Sequence, residues 1–204
     1  MTAWTTISNA LVAVGAKPFA TTVQAFRDNA LAALEADATA PVNQTAWHPY
    51  NKITNGDANT GVIYDFAVNG AVATITSPDW ADGYEYRFRL NRLSRDGSLG
   101  GILQIELYRE TAATYTAARD ISPAVSISEN LSGVVEIHQP RLSLVWHLIT
   151  ADTALSSAVG AITPTTSRWI QVENAQKLLR ARFRWTVNNS DLGEIYMDRR
   201  RVIT

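Results

Sequence analysis

Apolar positions recur along the chain with two different periods. Between Pro18 and Pro41, in FATTVQAFRDNALAALEADA, apolar side chains return every three or four residues and form one stripe: Phe19, Val23, Phe26, Ala30 and Leu34. This spacing predicts an amphipathic helix from about Thr21 to Ala36. A single amphipathic helix cannot bury its stripe by itself, so we expect this one to dock on another surface.

From Gly61 onward the apolar period is two, which is typical of strands. GVIYDFAV is followed by Asn69-Gly70 and by AVATIT, a pattern that predicts a β-hairpin. YEYRFRL alternates aromatic and charged side chains, so its two faces differ in polarity. We expect TADTALSSAVGA to add a short helical turn. Further strands are predicted in ILQIELY, AVSIS, GVVEIHQ, LSLVWHLIT, RWIQVEN, LLRARFRWTV and EIYMDRRRVI.

Nine or ten short strands separated by turns predict an all-β fold. The expected architecture is an antiparallel β-sandwich of jelly-roll type with an N-terminal extended or helical arm. The segment after the helix, APVNQTAWHPYNKITNGDANTG, has no period and many turn formers, which indicates a linker. We therefore divide the chain into an arm with one helix and a linker, residues 1–57, and a sandwich domain, residues 58–204.

The composition excludes several classes of protein. The 204 residues contain no cysteine, which removes disulfides, thiolate metal sites and cysteine nucleophiles. A net charge of -1 argues against a nucleic-acid partner held by a strong overall field. No apolar stretch reaches the length of a membrane-spanning helix, and no basic segment precedes the apolar start, so we expect neither membrane insertion nor a secretory signal.

No motif for catalysis or cofactor binding is present in the sequence. His48, His138 and His147 stand apart, without the spacing of a metal site, and we interpret them as hydrogen-bonded structural residues. No nucleophile elbow and no phosphate-binding glycine loop occurs. We therefore expect no enzyme activity, no catalytic residue, no cofactor and no metal. Any bound cation would be a hard one held by oxygens, such as Ca²⁺.

The loop SPDWADGYEY places two carboxylates around an indole. Sugar-binding sites combine these groups, so Asp79, Trp80, Asp82 and Tyr84 are candidate glycan contacts. The alternative, which we favour for the indole, is that Trp80 belongs to the end of the core. A third interpretation, a polysaccharide hydrolase using Asp79, Asp82 or Glu106, requires a carboxylate geometry that the loop spacing does not define.

Arginine outnumbers lysine fifteen to three. Arg180, Arg182 and Arg184 alternate with apolar residues and should share one strand face. Residues 168–204 carry a local charge of +4, and residues 61–167 a local charge of -4. The three arginines are thus candidate interface charges or members of a cross-strand ion network, and a merely solvated face remains the alternative. We do not expect nucleic-acid binding, because the aromatic side chains of this strand alternate to the opposite face.

Two parts of the chain carry short motifs that are found in other proteins. Trp4-Thr5-Thr6, and Phe26-Arg27-Asp28-Asn29 before Ala30-Leu31-Ala32, resemble the opening of small phage structural proteins, with Phe26 where leucine is more usual. DGYEYRFRL and LQIELY are similar to the β-sandwich part of phage fibres and spikes. The resemblance covers residues 4–45 and 79–108.

The resemblance implies a virion component of a tailed phage or a phage-like gene transfer agent, assembled in the host cytoplasm. It would be a short fibre or spike, homo-oligomeric, attached to other head or tail proteins and in contact with a host-surface polysaccharide. A stand-alone carbohydrate-binding module is the alternative. Residues expected to anchor the arm or to form the oligomer interface are Phe19, Val23, Phe26, Arg27, Asp28, Asn29 and Leu34.

Overall fold

The computed structural model describes residues 20–34, 47–49, 62–97, 99–138, 140–141, 144–157 and 162–202. The chain divides into two compact units. One is Met1–His48 together with Arg200–Thr204, and the other is Pro49–Arg199. The arm–sandwich boundary predicted at residues 57 and 58 lies outside the described residues and stays a prediction.

Helix α1 (Ala20–Leu34) belongs to the first unit and confirms the predicted helix. Ala25 and Asn29 lie one turn apart, and both are buried. Val23 and Phe26 are each 57% exposed, and they lie outside the face that Ala25 and Asn29 form. One face of α1 is therefore covered, while apolar side chains of the predicted stripe face outward.

The second unit is built almost entirely of strands. A two-residue strand, β1 (His48–Pro49), lies where the two units divide. A one-turn helix, α2 (Phe66–Asn69), follows the second strand. The other strands are β2 (Val62–Asp65), β3 (Thr74–Thr76), β4 (Tyr84–Leu93), β5 (Gly101–Arg109), β6 (Thr114–Tyr115), β7 (Arg119–Val125), β8 (Glu129–Ile137), β9 (Leu144–Ser157), β10 (Ile162–Gln176), β11 (Leu178–Trp185) and β12 (Glu194–Arg201).

These strands form two sheets that pack face to face. The large sheet contains β12-β4-β8-β9-β10 in that order, and β2 also pairs with β12. The small sheet has the order β3-β11-β5-β6, and β7 also pairs with β5. Antiparallel registers join β4 to β8, β8 to β9, β9 to β10, and β5 to β11. Pairing of β4 with β12 and of β5 with β11 brings early and late strands together, as in a jelly roll. The antiparallel sandwich predicted from the sequence is confirmed.

One apolar core fills the space between the sheets. Phe88 of β4 and Phe183 of β11 meet edge to face, with ring centroids 5.0 Å apart. The Thr153 hydroxyl of β9 donates to the Ile121 carbonyl of β7 at 2.9 Å, which adds a polar link between the sheets. The alternation predicted for β4 is confirmed, since Tyr86, Phe88 and Leu90 are buried. Further core side chains come from both sheets: Leu93, Leu103, Ile105, Leu107, Val135, Ile137, Ile149 and Ile195.

The hairpin predicted around Asn69-Gly70 is wrong. Asp65 ends β2 and caps α2, where its Oδ1 accepts from the Ala67 N–H at 2.9 Å. Gly70 then leaves the helix with a φ of 76°, a conformation that favours glycine. Because β2 pairs with β12 while β3 pairs with β11, the two predicted partners lie in different sheets.

The helical turn predicted in TADTALSSAVGA is also wrong for the residues that the structure describes. Thr150 to Ser157 continue β9, which is paired with β8 on one side and β10 on the other. Ala151, Thr153 and Leu155 are buried at alternate positions. Hydrogen bonding on both sides stabilises the extended conformation of these small residues, whose own preferences are weak.

Candidate functional site

The outer face of the small sheet carries the three arginines that share one side of β11. Arg182 lies opposite Glu106 of β5, and its Nε donates to Glu106 Oε2 at 2.6 Å. Arg184 Nη2 lies 3.5 Å from Glu106 Oε1. Since Glu106 is only 6% exposed, its carboxylate is held between two guanidiniums with little water around it. Charge-assisted pairs of this kind are stronger than neutral hydrogen bonds.

Tyrosine rings extend the same surface. The guanidinium of Arg182 lies 3.8 Å from the centroid of the Tyr115 ring, and that of Arg180 lies 4.5 Å from the Tyr108 ring. The two rings meet edge to face at 5.0 Å. Arg180 also pairs with Asp79 at 3.2 Å. The arginines therefore form a cross-strand network within the chain, and their role at a subunit interface stays a prediction.

A second ion cluster lies on the outer face of the large sheet. Asp198 of β12 is 2% exposed, although it faces away from the core. Its Oδ2 accepts from Arg87 Nη2 at 2.7 Å and from Arg89 Nε at 2.8 Å. The two arginines are partly exposed, so a buried carboxylate is neutralised by two guanidiniums that reach it from neighbouring strand β4.

Beside this cluster, Tyr196 donates its phenolic hydrogen to the carboxylate of Glu194. Glu194 Oε2 also accepts from Asn91 Nδ2 at 2.8 Å. The hydrogen bond to Glu194, together with burial, raises the pKa of Tyr196 to about 12, because ionisation would place two negative charges side by side. Arg89 lies 4.8 Å from the centre of the same tyrosine ring.

The loop from Asp79 to Tyr84 does not present an aromatic platform. Trp80 is only 3% exposed and stacks on Tyr86, so no face of its indole is open to a sugar. Trp80 is therefore a core residue, as the favoured interpretation predicted, and the prediction that its indole contacts a glycan is wrong. Asp79 and Asp82 remain exposed.

Asp82 forms an ion triad at the edge of this loop. Its Oδ1 accepts from Arg141 Nε at 2.9 Å, and its Oδ2 lies 3.3 Å from Lys177 Nζ. Arg141 Nη2 reaches Glu110 Oε1 at 3.1 Å. Hydrogen bonds from Lys177 and then Arg141 hold the pKa of the Asp82 carboxyl below its ordinary value. Asp79, Asp82 and Glu106, the three acids considered for hydrolysis, are each paired with a cation.

His138 follows β8, and its N–H donates to the carbonyl of Leu148, the residue after His147. His147 is fully buried, with Nε2 3.1 Å from the Gln176 carbonyl oxygen, in agreement with the predicted structural role. His138 Nδ1 lies 3.3 Å from Glu85 Oε1. The side chain of His48 lies outside the described residues.

Only part of the predicted anchoring set can be placed. Val23 and Phe26 are exposed on α1, and Arg27 Nη2 pairs with the neighbouring Asp28 Oδ1 at 2.7 Å. Asn29 lies on the buried face. Phe19 and the Leu34 side chain lie outside the described residues.

Grooves open on the part of the sandwich that the structure describes. One, of about 390 Å³, lies beside the β4–β12 pair and includes Asp65, Arg92 and Glu194. The other, here called the edge groove, has a volume of about 530 Å³ and lies between β7 and β10. It is lined by Ala118, Arg119, Asp120, Thr166, Ser167, Arg168 and Trp169. None of these residues carries a sequence signal for a site, because β7 and β10 are distant along the chain and no motif spans both strands.

Within the described ranges, no group of three or more acidic or histidine side chains is arranged to hold a metal ion. None of the helices in the same ranges is long and apolar enough to cross a membrane. No protein-family model matches the chain, and no curated protein matches it.

Proposed function

We propose that the protein is a non-enzymatic structural component of a virion, from a tailed phage or a phage-like gene transfer agent. It is a short fibre or spike that joins the head or tail through α1 and assembles with further copies of itself in the host cytoplasm. Its sandwich faces outward and contacts a polysaccharide of the host surface. The observation that carries the proposal is the exposure of Val23 and Phe26 on α1.

Burial of these two side chains would supply a driving force for attachment. A large apolar side chain contributes about 1.5–3 kcal/mol when it is moved from water into a packed interface. Large contiguous apolar patches on a protein surface mark sites of interaction with a partner. If several copies assemble around one axis, each repeats the same contact, so a modest patch per chain becomes a stable joint.

The two ion clusters support the outward role of the sandwich. Buried Glu106 and Asp198 each hold two arginines, which ties neighbouring strands together on both outer faces. Both faces can then remain polar and hydrated, as suits a module presented to solvent. The resemblance of residues 4–45 and 79–108 to phage structural proteins supports the virion origin.

The test is a pair of substitutions on α1 in the full chain. Phe26→Asp and Val23→Asp should each reduce the oligomer to a smaller species and abolish incorporation into particles, as measured by light scattering and by antibody imaging of particles. Gln24→Asp is the matched control, because Gln24 is an exposed residue of the same helix turn. The substitution adds the same negative charge as the other two.

The proposal fails if the wild-type chain is monomeric and absent from particles. That outcome would favour the stand-alone carbohydrate-binding module. It also fails if both aspartate variants assemble like the wild type, since the exposed side of α1 would then have no role in attachment.

A further inference from the structure

The edge groove lies where the two sheets of the sandwich meet along one side. Its walls are β7, an outer strand of the small sheet, and β10, the last strand of the large sheet. An outer strand has backbone N–H and C=O groups that no neighbouring strand uses. The groove therefore combines polar backbone with the side chains of Arg119, Asp120 and Thr166 to Trp169.

Two arginines of the edge groove differ from those of the two ion clusters. Arg119 and Arg168 are both exposed, and neither takes part in an ion pair with any residue that the structure describes. By contrast, the arginines of β11 and those that hold Asp198 are bound to carboxylates. The edge groove thus presents two guanidiniums whose donors are available to a ligand.

The remaining lining supplies groups that suit a sugar ring. Thr166 and Ser167 bring hydroxyls, and the partly buried indole of Trp169 forms an apolar wall. Asp120 Oδ1 accepts from Gln104 Nε2 at 2.7 Å, which orients this carboxylate and leaves its second oxygen as an acceptor. A volume of about 530 Å³ lies within the usual range for small-ligand sites.

We propose that the edge groove binds an acidic sugar unit of a polysaccharide. Arg119 and Arg168 would hold the anionic group, because a guanidinium matches a carboxylate or a sulfate with paired hydrogen bonds. The hydroxyls and Asp120 would bind the ring hydroxyls, and Trp169 would contact the ring itself. The inference rests on the proposed function, since it names the surface that meets the host polysaccharide.

The experiment is a titration of the full chain with a short oligogalacturonate, followed by calorimetry and by tryptophan fluorescence. The wild type should bind it and should not bind a neutral maltooligosaccharide of equal length. Arg119→Gln and Arg168→Gln should each weaken binding about tenfold or more, as expected for loss of a charge-assisted contact. Both side chains are exposed, so the melting temperature should not change.

Arg92→Gln is the matched control. Arg92 is also exposed, and its substitution removes the same charge, but Arg92 lines the other groove. If Arg92→Gln loses binding while Arg119→Gln and Arg168→Gln keep it, the edge groove is not the site. If the wild type binds neither the oligogalacturonate nor a sulfated dextran oligomer at about 10 mM sugar, the inference is also overturned.

Two further ligands distinguish which class of anion the edge groove binds. If a sulfated dextran oligomer binds to the wild type where the oligogalacturonate does not, and both arginine variants lose this binding, the edge groove is a site for sulfated sugars. Duplex DNA that binds through the same arginines, with neither acidic sugar bound, overturns the proposal.

The oligomer mass separates this inference from the proposed function. Arg119→Gln and Arg168→Gln should assemble like the wild type. Absence of sugar binding by a wild-type chain that joins particles refutes the edge groove alone. Sugar binding by a wild-type chain that never assembles refutes attachment through α1 alone.

Discussion

The indole of Trp80 stacks on the phenol ring of Tyr86, with ring centroids 5.1 Å apart and planes inclined by 16°. Phe88 lies 6.2 Å from the same indole and in turn contacts Phe183 of the opposite sheet. The Tyr86 hydroxyl accepts from the Ala81 N–H at 2.7 Å. The loop that carries Trp80 is therefore held against the core by both a ring stack and a hydrogen bond.

Trp80→Ala should therefore lower the free energy of unfolding by about 3–5 kcal/mol, the usual cost of truncating a buried aromatic side chain. Urea unfolding followed by circular dichroism measures the change. Asp79→Ala, at the neighbouring exposed position, should cost about 1 kcal/mol or less, since it removes one surface ion pair. Equal effects of the two substitutions would contradict the core position of Trp80.

Asp198→Asn should destabilise the sandwich more than any exposed aspartate substitution. The variant leaves Arg87 and Arg89 side by side without their shared counter-charge. Because both arginines are partly exposed, we expect a loss of about 2–3 kcal/mol, below the value for a fully buried pair. Asp152→Asn on β9 is the control, since this exposed carboxylate has no partner among the described residues. If Asp198→Asn lowers the free energy of unfolding no more than Asp152→Asn does, the ion cluster does not stabilise the fold.

Tyr196 should ionise at a higher pH than an ordinary tyrosine. Its pKa rises from 10.0 to about 12 in the folded state, so the folded chain binds this proton more tightly than the unfolded chain. The stabilisation is complete below pH 10.0 and is lost as the pH rises towards about 12. Ultraviolet titration of phenolate, compared between the wild type and Tyr196→Phe, isolates this group.

Glu194→Gln should return the Tyr196 midpoint towards its ordinary value, because a neutral amide no longer opposes the phenolate. A midpoint that does not move would show that burial, rather than the carboxylate, raises the pKa.

Arg182→Glu should disturb folding or assembly. It places a second carboxylate opposite Glu106, which is already buried, and it removes the guanidinium from the Tyr115 ring. Arg184→Gln is a milder control, since the Arg184 contact with Glu106 is longer and more exposed. The measurements are the unfolding midpoint and the oligomer mass.

The arginine network also predicts weak nucleic-acid affinity. Since Arg180, Arg182 and Arg184 are engaged with carboxylates of the same chain, the wild type should not bind duplex DNA tightly at physiological salt. Contact through a few phosphates would weaken steeply with added salt. Sub-micromolar affinity that persists at high salt would contradict this prediction.

Local periodicity was sufficient to predict several elements. The stripe of α1 and the alternation of β4 depend only on the geometry of a helix and a strand, so which side chains share a face follows from residue order. For the same reason, three arginines spaced by two on β11 share one face. Which carboxylate they meet, Glu106, depends on the pairing of β11 with β5.

Sequence determined the class of fold, the amphipathic helix and the faces of the strands, because these depend on neighbouring residues. Tertiary structure decided which strands pair, since each pairing gains its energy from partners far along the chain. The Asn69-Gly70 signal was overridden because β2 gained a partner in β12 and β3 gained one in β11. Asp198 meets Arg87 across 111 positions of sequence, and the edge groove forms only where β7 and β10 end their sheets side by side. No local pattern records such contacts, because hydrogen bonding between strands and packing of side chains act through space and not along the sequence.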